Sequence, residues 1–149
     1  MKKAILAIPS TDWCPDLPKL KPSEIPYKSY EENQQAPYLS WMKLVFFSMM
    51  TSPQNEAQKA DIEKHPHTVT RPIQGNLKGL CDTFVSVAEY DPLRGEGEEY
   101  IRRLIQAGVK VTSRLYTGVG HGFQCMLPVK KALLHLDDVC SEVKRAHEA

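Results

Sequence analysis

The sequence predicts an α/β fold in which helices flank a mainly parallel sheet, and three observations support this. The segment KKAILAI, residues 2–8, is apolar on both faces, as strands inside parallel sheets are. The run TFVSVAEY, residues 83–90, is rich in β-branched and aromatic side chains and is followed at once by an amphipathic helical pattern. Strands and helices then alternate to the end of the chain, which is typical of a parallel sheet.

Between the first two strands, residues 9–39 form a proline-rich segment that we expect to be a long loop. Prolines exclude a long helix or a central strand there. The six are Pro9, Pro15, Pro18, Pro22, Pro26 and Pro37. Five aromatic residues lie in or next to the segment, and they could line an acyl pocket or simply cover the core. They are Trp13, Tyr27, Tyr30, Tyr38 and Trp41.

Four helices are predicted from their periodicity and end signals. Residues 40–50 begin with Ser40 as a possible N-cap, and the polar stretch 55–65 has helical composition. In residues 95–108 an acidic first turn precedes an apolar stripe, and Gly108 suits the C-terminal end. The stripe contains Tyr100, Ile101, Leu104 and Ile105.

A third strand at 109–116 and a last helix at 128–146 complete the pattern. The strand places Val109, Val111 and Leu115 on one face, and Pro128 fits the first turn of the helix. Five residues of the helix are predicted to form its buried side because of their spacing. They are Val129, Leu133, Leu136, Cys140 and Val143.

Composition excludes several classes of protein. The chain has 149 residues, 42% of them hydrophobic, and a net charge of +1, so no electrostatic field favours nucleic acid or an anionic membrane. No apolar stretch approaches a membrane span, and Pro9 interrupts the first apolar run before it reaches signal-peptide length. Four scattered cysteines without metal-type spacing favour free thiols, and we expect a cytoplasmic protein.

Two loops carry the chemistry. Asp91 ends the strand TFVSVAEY, and His121 lies in the loop after the next strand, between Gly118, Gly120 and Gly122. Functional groups of open α/β sheets gather at the carboxyl ends of strands, so the two loops could bring carboxylate and imidazole into contact. The imidazole could then act as a general base. The alternative is that both residues are ordinary turn and cap residues.

The stretch FVSVAEYDPLRGEGEEYIRRLIQAGVKVTSRLYTGVGHGF resembles the C-terminal part of the hormone-sensitive-lipase-like esterases, a branch of the α/β-hydrolase fold. AILAIPSTDW and SYEENQQAPYLSWMKLVFF resemble earlier segments of the same family. The resemblance implies that residues 1–149 are a partial α/β-hydrolase domain, from the strand after the nucleophile helix to the C-terminal helix. It also implies a carboxylic-ester hydrolase in which Asp91 is the triad acid and His121 the triad base.

Several departures from the family pattern accompany these matches. No serine has the G-x-S-x-G flanks of the family's nucleophile, and no HGG-type oxyanion loop is present. Gly95 stands where the family often has an acidic residue, and Arg71-Pro72 stands where it often has Ser-Pro. The chain could therefore be an incomplete hydrolase, inactive alone. The alternatives are a non-catalytic remnant that serves as a binding or scaffold protein, and a truncated gene product.

The remaining expectations concern ligands and partners. Leu93, Phe123 and Met126 are candidates for a substrate pocket, although core packing is the default explanation for Phe123 and Met126. His65 and His67 lie close together, but no third ligand is fixed, so we expect no metal and no cofactor. We expect a small-molecule ester as the substrate. A homo-oligomer could form through the exposed edge of the first strand.

Overall fold

The computed structural model describes residues 2–14, 16–64, 71–126 and 129–148. Its centre is a parallel sheet of three strands in the order β1-β2-β3, namely Lys3–Ala7, Asp82–Tyr90 and Val111–Gly120. Each strand therefore lies beside its successor in sequence. Ile5 of β1 pairs with Phe84, and Val85 of β2 pairs with Ser113. The predicted α/β class and parallel sheet are confirmed.

In the described part of the chain, five α-helices accompany the sheet. They are α1 (Ser29–Glu32), α2 (Trp41–Thr51), α3 (Glu56–Glu63), α4 (Arg94–Gln106) and α5 (Lys130–Glu148). Ser40 caps α2 as predicted, because its hydroxyl accepts the backbone N–H of Lys43 at 3.5 Å. Pro128 lies outside the described residues.

The main core lies between the sheet and α4. Val85 and Val87 of β2 pack against Tyr100 and Leu104 of α4, and all four are buried. Ile101 is partly buried against this cluster, but Ile105 is 58% exposed, so the predicted stripe is wrong at its last residue. Leu115 is also exposed, and it lies on the outermost strand, β3. The neighbouring residue Tyr116 points to the other face of the sheet and is buried there.

The proline-rich segment builds a second core of its own. Short 3-10 turns at Leu17–Lys19 and Pro22–Glu24 fold it back, and each has a proline in its first turn. Leu17 and Tyr30 are buried in this cluster, and Trp13, Tyr27 and Trp41 pack against it. Four of the five aromatic residues therefore contribute to packing, whereas Tyr38 is 62% exposed.

Helix α5 covers the opposite face of the sheet from α4, and two of its three buried residues are polar. His135 is 7% exposed and lies against Ser86 of β2, while the buried Glu142 forms an ion pair with Lys3 of β1. The predicted buried side is therefore wrong. Its members are exposed because a different face of the helix contacts the strands; they are Val129, Leu133, Leu136, Cys140 and Val143.

Strand β1 also differs from expectation. Its sequence is that of an interior strand, but β1 lies at the edge of the sheet and its residues are half-buried or exposed. Within the described residues it pairs with β2 alone. The sequence of β1 is therefore more apolar than is expected of a half-exposed edge strand.

Candidate active site

Asp91 follows the last residue of β2 and is only 1% exposed. One carboxylate oxygen, Oδ1, accepts the backbone N–H of Leu93 at 2.9 Å. The other, Oδ2, lies 2.8 Å from Nδ1 of His121. The structure thus brings together the two residues that the sequence singles out, and it leaves neither oxygen of the buried carboxylate without a partner.

His121 follows the last residue of β3, and its side chain is 29% exposed. The glycines around it allow the two strand ends to approach closely. A Cβ at Gly120 would lie 3.0 Å from the carbonyl oxygen of Tyr90, and Gly122 has φ +79°, which favours glycine. A side chain at Gly120 would therefore crowd the end of β2 just before Asp91, and a side chain at Gly122 would strain the backbone.

The short helix α1 supports the loop that carries Asp91. The hydroxyl of Ser29 donates to the carbonyl oxygen of Pro92 at 2.6 Å and accepts the N–H of Gly95 at 2.9 Å. The side-chain amide of Asn33 donates to the carbonyl oxygen of Asp91 at 3.3 Å. Ser29 and Asn33 are both buried, so these bonds are shielded from competing water.

Glu89 lies near the end of β2 and links this strand to β3 and to α4. Its Oε2 accepts the backbone N–H of Gly118 at 2.7 Å, and its carbonyl oxygen accepts from the guanidinium of Arg94 at 2.7 Å. Arg94 also forms an ion pair with Glu32 of α1. Polar contacts therefore connect β2, β3, α4 and α1 next to the positions of Asp91 and His121.

This geometry defines what the pair can do chemically. A carboxylate at Nδ1 favours the tautomer that carries its proton there, and it stabilises the imidazolium when that forms. The other ring nitrogen, Nε2, is then available to take and return a proton. Because Asp91 is buried and His121 is partly exposed, the imidazole can be reached from solvent while its partner cannot.

The three predicted pocket residues differ in their surroundings. Leu93 is 6% exposed and belongs to the second core, and Phe123 is 1% exposed and packs on Tyr116 with ring centroids 4.9 Å apart. Met126 is half-buried, and its methyl group approaches Gly122. Leu93 and Phe123 are thus buried core residues, whereas Met126 is partly exposed.

Sequence reasoning missed two buried polar groups. Glu96 is 0% exposed; it accepts the backbone N–H of Asp12 at 2.9 Å through Oε2, while burial raises its pKa to about 7. The hydroxyl of Ser86 lies 3.1 Å from Nε2 of His135, and burial lowers the pKa of that imidazole. The carboxylate of Asp138, close to His135, opposes this shift. A mid-strand serine and a helical histidine carry no sequence signal of such a contact.

No group of three or more histidine, cysteine or acidic residues that could hold a metal ion occurs in the part of the chain that the structure describes. His65 and His67 lie outside that part. The described helices include none that is long and apolar enough to cross a membrane.

Fold and site together define an α/β protein with a carboxylate–imidazole pair at the carboxyl edge of its sheet. A family profile described as the alpha/beta hydrolase fold matches residues 2–125. The chain belongs to this family, and the resemblance drawn from the sequence is confirmed.

Individual relatives are esterases by name. Esterase LipI of Mycobacterium tuberculosis is 31% identical over 119 residues, which are 80% of this chain and 32% of that protein. Carboxylesterase NlhH of the same organism is 32% identical over 103 residues, 68% of this chain and 31% of the relative. The chain thus spans about a third of the length of these relatives.

Comparison with solved structures also indicates the α/β-hydrolase fold. The esterase of Pyrobaculum calidifontis superimposes with a TM-score of 0.77 at 24% identity. That superposition covers 100% of this chain and 45% of the esterase. More than half of the esterase therefore has no counterpart in residues 1–149.

Proposed function

We propose that this chain supplies the acid and the base of a serine ester hydrolase, with Asp91 as the acid and His121 as the base. The observation that carries the proposal is the 2.8 Å contact between Asp91 Oδ2 and His121 Nδ1 at the carboxyl edge of a hydrolase-type sheet. The esterase names of the relatives favour carboxylic esters as the substrate class. The serine and the oxyanion donors would come from residues outside 1–149.

The proposed reaction runs in two halves. His121 Nε2 takes the proton of the serine hydroxyl as the oxygen attacks the ester carbonyl, and it then gives that proton to the departing alcohol. Water next attacks the acyl-serine while His121 again accepts and returns a proton, so that the carboxylic acid leaves. Asp91 keeps its charge throughout and stabilises the imidazolium in each half.

The serines of the chain itself are poor nucleophile candidates. Ser86 is fully buried beside His135, on the face of the sheet that α5 covers. Ser10 is exposed, but it lies beside the carboxyl group of Glu96. Neither contacts His121, so we expect the isolated chain to be inactive.

A second candidate function is a non-catalytic binding or scaffold protein that keeps the hydrolase fold. The observation that favours it is the absence of a G-x-S-x-G sequence from the 149 residues. The two candidates differ in one respect that can be measured: only the first requires His121 for turnover.

The test compares the isolated chain with a fusion that restores a nucleophile. The fusion joins the unmatched part of the Pyrobaculum calidifontis esterase to residues 1–149, and p-nitrophenyl acetate is the substrate. We expect hydrolysis by the fusion and a loss on the order of 10⁴ in kcat in its His121→Ala variant. The control Lys78→Ala changes an exposed residue before β2 and should leave the rate unchanged.

Three results would count against the proposal. Saturable hydrolysis by the isolated chain that depends on His121, together with labelling by a fluorophosphonate, would mean that the chain contains its own nucleophile. A folded fusion whose hydrolysis survives His121→Ala would exclude this histidine as the base. A folded fusion without any hydrolysis would leave the scaffold function as the better conclusion.

A further inference from the structure

The loop that carries His121 is anchored by a cluster of three buried aromatic rings. Tyr116 of β3, Phe123 of the loop and His135 of α5 form this aromatic cluster. The ring centroids lie 4.9 Å apart for Tyr116 and Phe123, 5.4 Å for Tyr116 and His135, and 5.5 Å for Phe123 and His135. Each ring therefore contacts the other two, and His135 is the member that can gain a charge near neutral pH.

Phe123 attaches the loop to the body of the protein. Among residues 120–126 it is the one that is fully buried, and it begins the short 3-10 turn Phe123–Cys125. His121 lies two residues earlier and bonds to Asp91 through Nδ1. The imidazole of His121 is therefore held directly by Asp91 and, through the loop backbone, by the buried ring of Phe123.

The surroundings of His135 suit a neutral imidazole. Its Nε2 lies 3.1 Å from the hydroxyl of Ser86 on β2. The rings of Tyr116 and Phe123 contact it edge-on, at interplanar angles of 62° and 83°. Burial lowers the pKa of this imidazole, so the neutral form is the one that occupies the cluster at pH 7.5.

The charged groups around His135 do not compensate a proton on its ring. The carboxylate that acts on it is that of Asp138, on the same helix. One oxygen of Asp138 already accepts from Arg114 of β3 and the other from the hydroxyl of Tyr116. Strand β2 contributes only a hydroxyl and the 3-10 turn only an apolar ring, and the ion pair that joins α5 to β1 lies two turns further along the helix. A protonated His135 is therefore poorly accommodated in the cluster.

We propose that His135 is a positioning residue for His121: the neutral imidazole of His135 holds Phe123 in place, and protonation of His135 releases Phe123 and with it the loop of the base. The inference rests on the proposed function for the role of His121 in turnover, whereas the link from His135 to the loop can be measured without turnover. The candidate active site would thus respond to acid through a buried group that lies outside it.

Protonation of His121 itself acts on the loop in the opposite direction. An imidazolium bonds more strongly to the carboxylate of Asp91 than a neutral imidazole does, so this proton tightens the pair. A loop that loosens in acid therefore indicates a group other than His121.

The first experiment follows hydrogen exchange in the isolated chain at pH 7.5 and pH 5. The amides of Cys125 and Met126 report on the loop, because they donate to carbonyl oxygens of the same turn at 3.0 Å, and the amide of Ala107 reports on the end of α4. An imidazole released from the cluster binds its proton near pH 6.5, so we expect the protection factors of the two loop amides to fall by about tenfold at pH 5. That of Ala107 should change by less than about twofold. An equal fall at all three positions would overturn the proposal, because the effect would not be local to the loop.

Matched variants assign the effect to His135. In His135→Gln the side-chain amide can still bond to the hydroxyl of Ser86 but takes up no proton, so the fall in protection should disappear. His147→Gln removes an exposed histidine of the same helix and should behave like the parent. A fall of parental size in His135→Gln would contradict the proposal. If this variant does not fold, the contrast between the loop amides and Ala107 in the parent chain still decides it.

The fusion described above connects the loop to turnover. Two histidines must be neutral in the parent fusion, so log kcat/KM against pH should approach a slope of about two on the acid side, and about one in His135→Gln. Hydrolysis with equal slopes in both proteins would overturn the proposal and leave the proposed function intact. Loss of loop protection in acid, together with a folded fusion that hydrolyses no ester, would retain the control of the loop by His135 and reject the proposed function.

Discussion

At the scale of single residues, hydrogen bonding distinguishes two buried carboxyl groups, those of Asp91 and Glu96. Asp91 has hydrogen-bond partners for both oxygens, and one of them is His121. Glu96 is equally buried, but its Oε1 has no partner. Desolvation of Glu96 therefore outweighs the hydrogen bonds to its other oxygen and raises its pKa to about 7.

Replacement of Glu96 by glutamine tests this difference. The folded-state pKa lies above the value near 4.5 expected after unfolding, so the folded protein holds the proton more tightly. This contribution to stability is complete below pH 4.5 and is lost as the pH rises through 7. We expect Glu96→Gln to raise the free energy of unfolding by up to about 3 kcal/mol at pH 9, and to change it little at pH 4. Urea denaturation at the two pH values measures this, and equal effects at both would contradict it.

Gly95 is the other residue whose role becomes clear from its contacts. A Cβ there would lie 2.9 Å from both the hydroxyl of Ser29 and the Cβ of Tyr27. The family often has an acidic residue at this position, but the close approach of α1 in this chain leaves no room for one.

We therefore expect Gly95→Ala to destabilise the fold by about 1–3 kcal/mol, because the clash displaces the segment that supports Asp91. Glu98→Ala is the control, since Glu98 is exposed on the same helix and should change the free energy of unfolding by less than about 0.5 kcal/mol. Thermal melting measures both. A Gly95→Ala protein as stable as the parent would show that α1 is not held as closely as the structure indicates.

At the scale of elements, α5 is attached to the sheet mainly by polar contacts. His135 faces Ser86, Tyr116, Phe123 and Asp138. The buried ion pair of Glu142 with Lys3 lies further along the helix. An attachment of this kind depends on the protonation of His135, because only the neutral imidazole is accommodated without a buried charge.

The stability of the fold should therefore depend on pH through His135. Burial lowers its pKa below 6.5, so the unfolded chain binds this proton more readily. Its contribution to stability is present at neutral pH and is lost as the pH falls below about 6.5. We expect His135→Gln to reduce the loss of stability between pH 7.5 and pH 5, whereas the exposed His147→Gln should not. Denaturant titrations at both pH values decide this, and an identical loss in all three proteins would contradict it.

The secondary-structure elements also show which features of the fold the sequence predicts and which it does not. Strand and helix order follows from local periodicity, and so β1, β2, β3, α2 and α4 lie where the patterns predict. The buried face of α5 could not be predicted from periodicity. An apolar stripe indicates that one face of a helix favours contact, but it does not show which element makes that contact. The approach of Asp91 and His121 could be predicted because strand ends of a parallel sheet share one edge. The contacts of Glu96 and of His135 depend on tertiary packing that has no local signal.

At the scale of the whole molecule, the pair of Asp91 and His121 and the unpaired edge of β1 lie at different places on the described sheet. Asp91 and His121 lie at the carboxyl ends of β2 and β3, whereas the outer edge of β1 pairs with no strand among the described residues. The acid–base pair is thus assembled by residues 1–149 alone, and the reaction proposed for it needs a nucleophile from elsewhere. This separation means that the pair can be examined without any turnover.

The most direct test of the pair is the NMR signal of the proton on His121 Nδ1 in the isolated, ¹⁵N-labelled chain. We predict a strongly downfield proton bonded to this nitrogen, because a buried carboxylate accepts it at short distance. The signal should disappear in His121→Ala, move upfield or vanish in Asp91→Asn, and persist in Glu96→Gln. The absence of such a proton from the folded parent chain, or an unchanged signal in Asp91→Asn, would contradict the acid–base pair on which the proposed function depends.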